Sequence, residues 1–331
     1  MIRRAVAVAL LVLLVTAPSA TAGGDPPWSV DESRLADALE CPAAFTHPEH
    51  EPVLLVHGTG TSGPEEFGWS YQLLLAQRGF DACVVTYPDR GLGDLQISAE
   101  YVAHAILVIH QRTGQQVDVM GHSQGGLLPR WAITFWPSVQ EVVDDAVLVA
   151  PPSHGTSVAP SGGITSLSMP AAFYQMAPGS EFVAALNAGD ETPGDVSWSV
   201  LFTDFDELVE PASPVPTAAL DWGQEGANVR NVRIQDVCPG RLVDHLSIGT
   251  TDRLSQELVL DAFAGPGPVD PARLGAPGPL CALPDQYVDP GQLPALLQQV
   301  PRSLQGGFPD FHATNAEPPL KPYAQAVLTG S

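Results

Sequence analysis

Short apolar runs alternate with longer stretches of helical spacing along most of the chain. Val53 to Val56 is a compact apolar run that enters His57-Gly58-Thr59-Gly60, so it reads as a buried strand feeding a glycine turn. A short helix is expected before it, from Ser33 to Leu39. Trp69 to Arg78 carries helical spacing and stops at Gly79. Cys83 to Tyr87 reads as a second strand, ended by Pro88. A helix capped by Ser98 is predicted to run to about Arg112, with Val102, Ile106 and Ile109 on one face. Val117 to Met120 is a third strand, followed directly by Gly121-His122-Ser123-Gln124-Gly125. Leu127 to Trp136 predicts the next helix, with Pro129 straining or bending its early turns. Val147 to Ala150, Val200 to Phe202 and Val232 to Ile234 predict further strands. This alternation implies an α/β class fold, a doubly wound and mostly parallel sheet with helices on both faces.

The 331 residues suffice for one large domain, and 44% hydrophobic with 15% charged residues is an ordinary globular composition. Charge narrows the partners. Only 14 Lys and Arg stand against 37 Asp and Glu, a formal net charge of −23. Such a surface repels phosphate backbones, which excludes nucleic acid as an expected partner. Arg3 and Arg4 precede the apolar run Ala5 to Val15 and the small residues Ala20-Thr21-Ala22, the layout of a cleaved secretory signal peptide over residues 1–22. Residues 23–331 are then one expected domain. No later run reaches the roughly 18 apolar residues of a transmembrane segment. Export places Cys41, Cys83, Cys238 and Cys281 in an oxidising compartment, where two disulfides are the expectation, with three pairings open. Their spacing matches no CxxC metal site. Residues 156–195, rich in Ser, Gly, Ala and Pro, form an expected lid-like insertion over the sheet. Its Leu167, Met169, Phe173, Tyr174 and Met176 suit a pocket lining or lid, and equally a plain packing surface. The proline-rich residues 265–331 are expected to wrap the domain.

Gly121-His122-Ser123-Gln124-Gly125 is G-x-S-x-G between a strand and a helix, the setting of a nucleophile elbow. Small residues two positions either side of Ser123 let backbones approach, and the helix N-terminus favours a developing negative charge. Ser123 is the expected nucleophile. The oxyanion donors expected are the backbone N–H groups of Gln124 and of Thr59, with the Thr59 hydroxyl as a further donor. His57 reads as a shaper of that loop. With the acid and base following the nucleophile in chain order, three histidines remain: His154, His245 and His312. His154 leaves no room for an acid strand, and His312 lies in the proline-rich tail, so His245 is the expected base. Asp206, just past the strand that ends at Phe202, is the expected acid, with Asp204 its competitor and Asp221 and Asp236 solvated.

Several stretches, taken together, resemble the Candida antarctica lipase B family of α/β-hydrolases. They are Leu54 to Pro64, Trp131 to Ser138, Thr203 to Pro211, and Val237-Cys238 through Asp244-His245. The resemblance covers about residues 38–290. It implies an α/β-hydrolase fold, a monomeric lipase or esterase acting on ester or lipid substrates, and no metal or organic cofactor. It also implies the disulfides Cys41–Cys83 and Cys238–Cys281. Three departures stand out: His122 where the family has tryptophan, Pro151-Pro152-Ser153 where it has an acidic residue, and no cysteine after Cys281. A short-chain carboxylesterase or polyester depolymerase is the alternative enzyme, and a non-catalytic binding protein on a hydrolase scaffold the alternative from another class.

Overall fold

The computed structural model describes residues 24–159, 168–284 and 313–329. The signal-peptide reading, Leu167 and His312 lie outside them. The strands are β1 (Leu39–Glu40), β2 (Val53–Val56), β3 (Ala82–Val85), β4 (Val117–His122), β5 (Val143–Val149), β6 (Met169–Pro170), β7 (Ser197–Phe202), β8 (Val229–Arg233) and β9 (Ala313–Thr314). Seven of them form one sheet in the order β1-β3-β2-β4-β5-β7-β8, while β6 and β9 pair separately. Every neighbouring pair in the large sheet is parallel except the antiparallel edge β1–β3. The mostly parallel α/β expectation therefore holds.

Parallel strands covered on both faces must be apolar on both, which is why β2 reads as one continuous run and not as an alternation. Leu54, Val56, Val119, Leu148 and Val200 face a core shared with the helices Leu95–Thr113 and Leu127–Phe135. Val53, Leu55, Met120, Val147 and Leu201 face the other way, onto the helices Tyr71–Gln77 and Arg253–Ala264. The second of these, capped by Asp252, is an addition to the expected elements.

Local chemistry moves several boundaries. The long helix begins at Leu95 because the Asp94 carboxylate accepts the Gln96 N–H at 2.9 Å, so Ser98 sits inside the helix and is not its cap. Pro129 is the third residue of its helix, within the first turn where proline is tolerated, and that helix forms over Leu127–Phe135. It stops before Trp136, whose extended backbone (φ −113°, ψ 99°) suits a residue preceding Pro137. Strand β5 starts at Val143, upstream of the expected run, because Asp144 and Asp145 interrupt its apolar pattern while Val143 still pairs with Val117 and Asp145 with Ser197.

The described part of the 156–195 insertion packs as core. Phe182 stacks on Trp131 with ring centroids 4.2 Å apart, and Tyr174 and Met176 are buried. Gln175 locks this segment to the long helix, accepting the Leu95 N–H at 2.8 Å and donating to Asp94 at 2.7 Å. The tail helix Pro322–Thr329 sets Tyr323 among Trp131, Phe135 and Trp136. Lys321 reaches the buried Glu100 carboxylate at 3.2 Å, and that carboxylate also accepts the Ser29 and Val30 N–H groups. Disulfides join Cys41 to Cys83 and Cys238 to Cys281. On a chain-entropy basis each closed loop is worth about 3–4 kcal/mol.

The turn after β4 is packed backbone on backbone. A Cβ on Gly121 would lie 2.1 Å from the Gly125 carbonyl oxygen, and one on Gly125 would lie 2.2 Å from that of Val56. Gly125→Ala is therefore expected to abolish soluble expression or lower the unfolding midpoint by about 5 °C or more, roughly what 3 kcal/mol or more implies. Gly114→Ala, at a left-handed helix end with open space around it, should cost only about 1 kcal/mol. Thermal unfolding of the two variants checks the contrast.

Candidate active site

Strand β4 delivers its last residue, His122, into the turn, and Ser123 follows with φ +56°, a left-handed conformation that costs a non-glycine residue about 1–2 kcal/mol. The helical turn Ser123–Gly126 and the helix from Leu127 continue without a break. Gly58 sits directly opposite, where a Cβ would stand 3.3 Å from the Ser123 Cβ. The strained serine is thus held between two glycine-lined backbones.

The Gly58–Thr61 loop is braced from several sides. Gly60 donates its N–H to the Arg90 carbonyl at 2.7 Å, and the Arg90 guanidinium returns a bond to the Gly60 carbonyl at 2.9 Å while pairing with Glu65. Tyr87 donates its hydroxyl to the His57 carbonyl and stacks on the His57 ring at 3.8 Å. Burial pushes the His57 imidazole down to about 4, so it is neutral, and its Nδ1 bonds the Gly58 carbonyl at 2.8 Å. That is a shaping role, as expected. The Thr59 hydroxyl donates to Gln124 Oε1 at 2.7 Å, which brings the two expected oxyanion residues together.

Asp206 lies on the loop after β7, and both of its carboxylate oxygens stand 2.9 Å from His245 Nδ1. Asp206 is fixed in turn by the N–H groups of Leu208 and Val209, at 3.0 and 2.8 Å. His245 opens a one-turn helix capped by Asp244 and donates its own N–H to Glu207 at 3.1 Å. Both side chains are buried. The competitors are engaged elsewhere: Asp204 with Arg233, Asp221 with the Thr192 hydroxyl, and His154 with Glu191.

Two residues enter the site without having been assigned a role in it. His122 Nδ1 lies 2.6 Å from Glu66 Oε1, and its Nε2 lies 2.9 Å from the carbonyl oxygen of His245. With an acceptor on each ring nitrogen, the imidazole donates twice and is therefore the charged form. Burial alone would lower its pKa, but the charge and hydrogen bond of Glu66, with the His245 carbonyl and the Asp206 charge, together raise it. The second Glu66 oxygen accepts the Gly58 N–H at 2.8 Å. One ion pair thus links the Gly58 loop, the residue before Ser123 and the backbone of His245, whose ring stands 5.0 Å from that of His122. Gly249 leaves room for it, since a Cβ there would fall 2.2 Å from the His122 ring. Nothing in the spacing of Pro64-Glu65-Glu66 marks Glu66 as buried. The available signal was a histidine in G-x-S-x-G, which calls for an acceptor on each nitrogen.

Strand order, elbow and buried Asp–His pair define an α/β-hydrolase, and the model of the Alpha/beta hydrolase family matches residues 53–278, so the chain belongs to that family. More narrowly, it is lipase-like. Over 320 residues it is 32% identical to Lipase B of Pseudozyma antarctica, covering 93% of this chain and 89% of that one. It superimposes on the crystal structure of Aspergillus fumigatus lipase B with a TM-score of 0.79 at 28% identity, covering 97% of this chain and 77% of that one. The Bacillus licheniformis lipase BlEst2 in its propeptide form shares the fold, with a TM-score of 0.53 at 18% identity over 70% of this chain and 54% of that one. These relationships make the protein a lipase-like ester hydrolase.

The ion pair has a pH signature. Because the folded pKa of His122 lies above its ordinary 6.5, the stabilisation is fully present below about pH 6.5 and fades as pH rises through the raised value. His57 acts in the opposite sense, losing stability as pH falls from 6.5 towards 4, so the difference between two proteins isolates the pair. Glu66→Gln is expected to cost about 3–5 kcal/mol near pH 6, and less as pH rises towards about 9. Urea unfolding of both proteins across that range checks it, and a difference independent of pH would mean that His122 is neutral.

Proposed function

We propose that the chain is an exported, monomeric serine lipase in which Ser123, His245 and Asp206 form the catalytic triad. The observation that carries this reading is the buried Asp206–His245 contact on the loops beside the elbow, with two 2.9 Å approaches to one ring nitrogen. Asp206 holds the imidazole in the tautomer whose Nε2 can accept a proton and stabilises the cation once it forms. Ser123 attacks the ester carbonyl as His245 takes its proton, and backbone N–H groups of Thr59 and Gln124 receive the oxyanion. The tetrahedral adduct collapses to an acyl-Ser123 ester as His245 protonates the leaving alcohol. Water, deprotonated by His245, then releases the fatty acid. Neither metal nor organic cofactor enters this sequence.

Apolar substrates are supported by what surrounds the two loops. Phe205 and Leu208 flank Asp206, and Leu246 follows His245; all three are exposed. Exposed apolar side chains grouped beside a reactive centre suit a lipid surface better than a water-soluble ester. The lipase relatives point the same way. Export is supported by the signal-peptide pattern and by the two disulfides. Among the described residues, no helix is long and apolar enough to cross a membrane.

Hydrolysis of p-nitrophenyl esters from acetate to palmitate, by the mature protein and by Ser123→Ala, tests the proposal. Turnover of the long esters is expected, with a loss of at least about 10⁴-fold in the variant. Activity restricted to short esters would favour the esterase reading. Turnover that survives Ser123→Ala would remove Ser123 from the nucleophile's role, and no turnover on any ester would favour a binding protein.

A further inference from the structure

At the edge of the sheet remote from Ser123, three carboxylates converge. Asp118 is the second residue of β4, and Asp144 and Asp145 are the second and third of β5, so the parallel pairing brings them to one end. The β4–β5 register shifts at this point, and the Asp145 N–H approaches Asp118 Oδ1 at 3.3 Å. One carboxylate oxygen from each of the three residues lies within 4.8 Å of the others. Asp118 is fully buried and Asp145 is 4% exposed, yet Asp118 Oδ2 and Asp145 Oδ1 have no hydrogen-bond partner.

Two orphaned carboxylate oxygens inside a protein are costly, because desolvation is not repaid by a donor. The surroundings do not supply the missing charge. Glu51 adds a further negative field, Ser197 offers only a hydroxyl, and Arg273 is engaged with Asp261 at 2.8 Å. Protons or a bound cation must balance the cluster. An all-oxygen carboxylate set suits a hard divalent ion, whereas zinc favours nitrogen and sulfur ligands. Oxygens bound to one calcium ion at 2.3–2.6 Å stand no more than about 5 Å apart, and the three here already meet that limit. Asp144 is half-buried, which leaves a solvent side for entry and for the waters that complete coordination.

We propose that Asp118, Asp144 and Asp145 form a calcium-class divalent cation site that ties β4 to β5 at the sheet end away from the nucleophile. The role is structural and no step of ester hydrolysis passes through it. Protons and a bound ion compete for carboxylate oxygens, so affinity rises with pH.

The mature protein, stripped with a chelator and dialysed, is the material for the test. Adding calcium chloride to about 10 mM at pH 8 is expected to raise the unfolding midpoint by about 5 °C, and by less at pH 5.5. Calorimetric titration at pH 8 should show one ion per chain. Asp144→Asn, at the half-buried position, should fold and lose most of the shift and of the calorimetric signal; Asp145→Asn should do the same. Hydrolysis by Ser123, assayed at 25 °C, should be unchanged in Asp144→Asn, which separates this site from the catalytic reading. No calcium shift in the unsubstituted protein, with the midpoint rising on acidification, would overturn the proposal in favour of protons. An equal calcium shift in Asp144→Asn would place the ion elsewhere.

Discussion

The site depends on one buried charge pair. Glu66 and His122 are both enclosed, and between them they reach three separate segments: the Gly58 loop, the elbow and the backbone of His245. A carboxylate in that position is tolerable only with strong donors on both oxygens, and Gly58 N–H and His122 supply them. An imidazolium needs two acceptors, and Glu66 and the His245 carbonyl supply those. Replacing the pair by well-packed apolar groups need not weaken the fold, since buried ion pairs often contribute little net stability. What such a replacement removes is directionality. Each hydrogen bond fixes an angle as well as a distance, and the three segments it joins come from β2, β4 and the loop after β8.

That directionality matters because the neighbouring backbone is strained and closely packed. Ser123 holds a positive φ, and it is kept there by backbone contacts that only glycine permits at positions 121 and 125. The Gly58 loop sits across from it, clamped by Arg90 and Tyr87. A loop positioned only by van der Waals contact could drift by tenths of an ångström, and oxyanion stabilisation is steeply sensitive to such a shift. Glu66 bonds the same loop from its other side and removes that freedom.

Much of this was legible in the sequence, and the reason is physical. Strands buried on both faces leave compact apolar runs, so β2 and the elbow after β4 announce themselves. Candidates for acid and base could be narrowed by chain order, because the nucleophile-elbow motif goes with acid and then base later in the chain. What was not legible is what depends on three-dimensional enclosure. Glu66 lies in Pro64-Glu65-Glu66, where its neighbour Glu65 pairs with the partly exposed Arg90; no periodicity separates the buried glutamate from the other. The start of β5 was missed for a related reason. Asp144 and Asp145 look like the end of a solvent loop, and only sheet pairing shows that Asp145 is inside.

The two ends of the sheet therefore pose the same electrostatic problem and answer it differently. At the end that bears Ser123, the buried Glu66 carboxylate is met by a cation from the chain itself, on the side chain of the residue before Ser123. At the opposite end, Asp118 and Asp145 are buried without such a partner, and Arg273, whose charge reaches Asp145, is held by Asp261. A chain with 14 basic residues against 37 acidic ones has few internal cations to place. A histidine beside Ser123 secures the geometry there. It leaves the far end to be neutralised from solution, by protons at low pH and by a hard metal ion where the pH is higher.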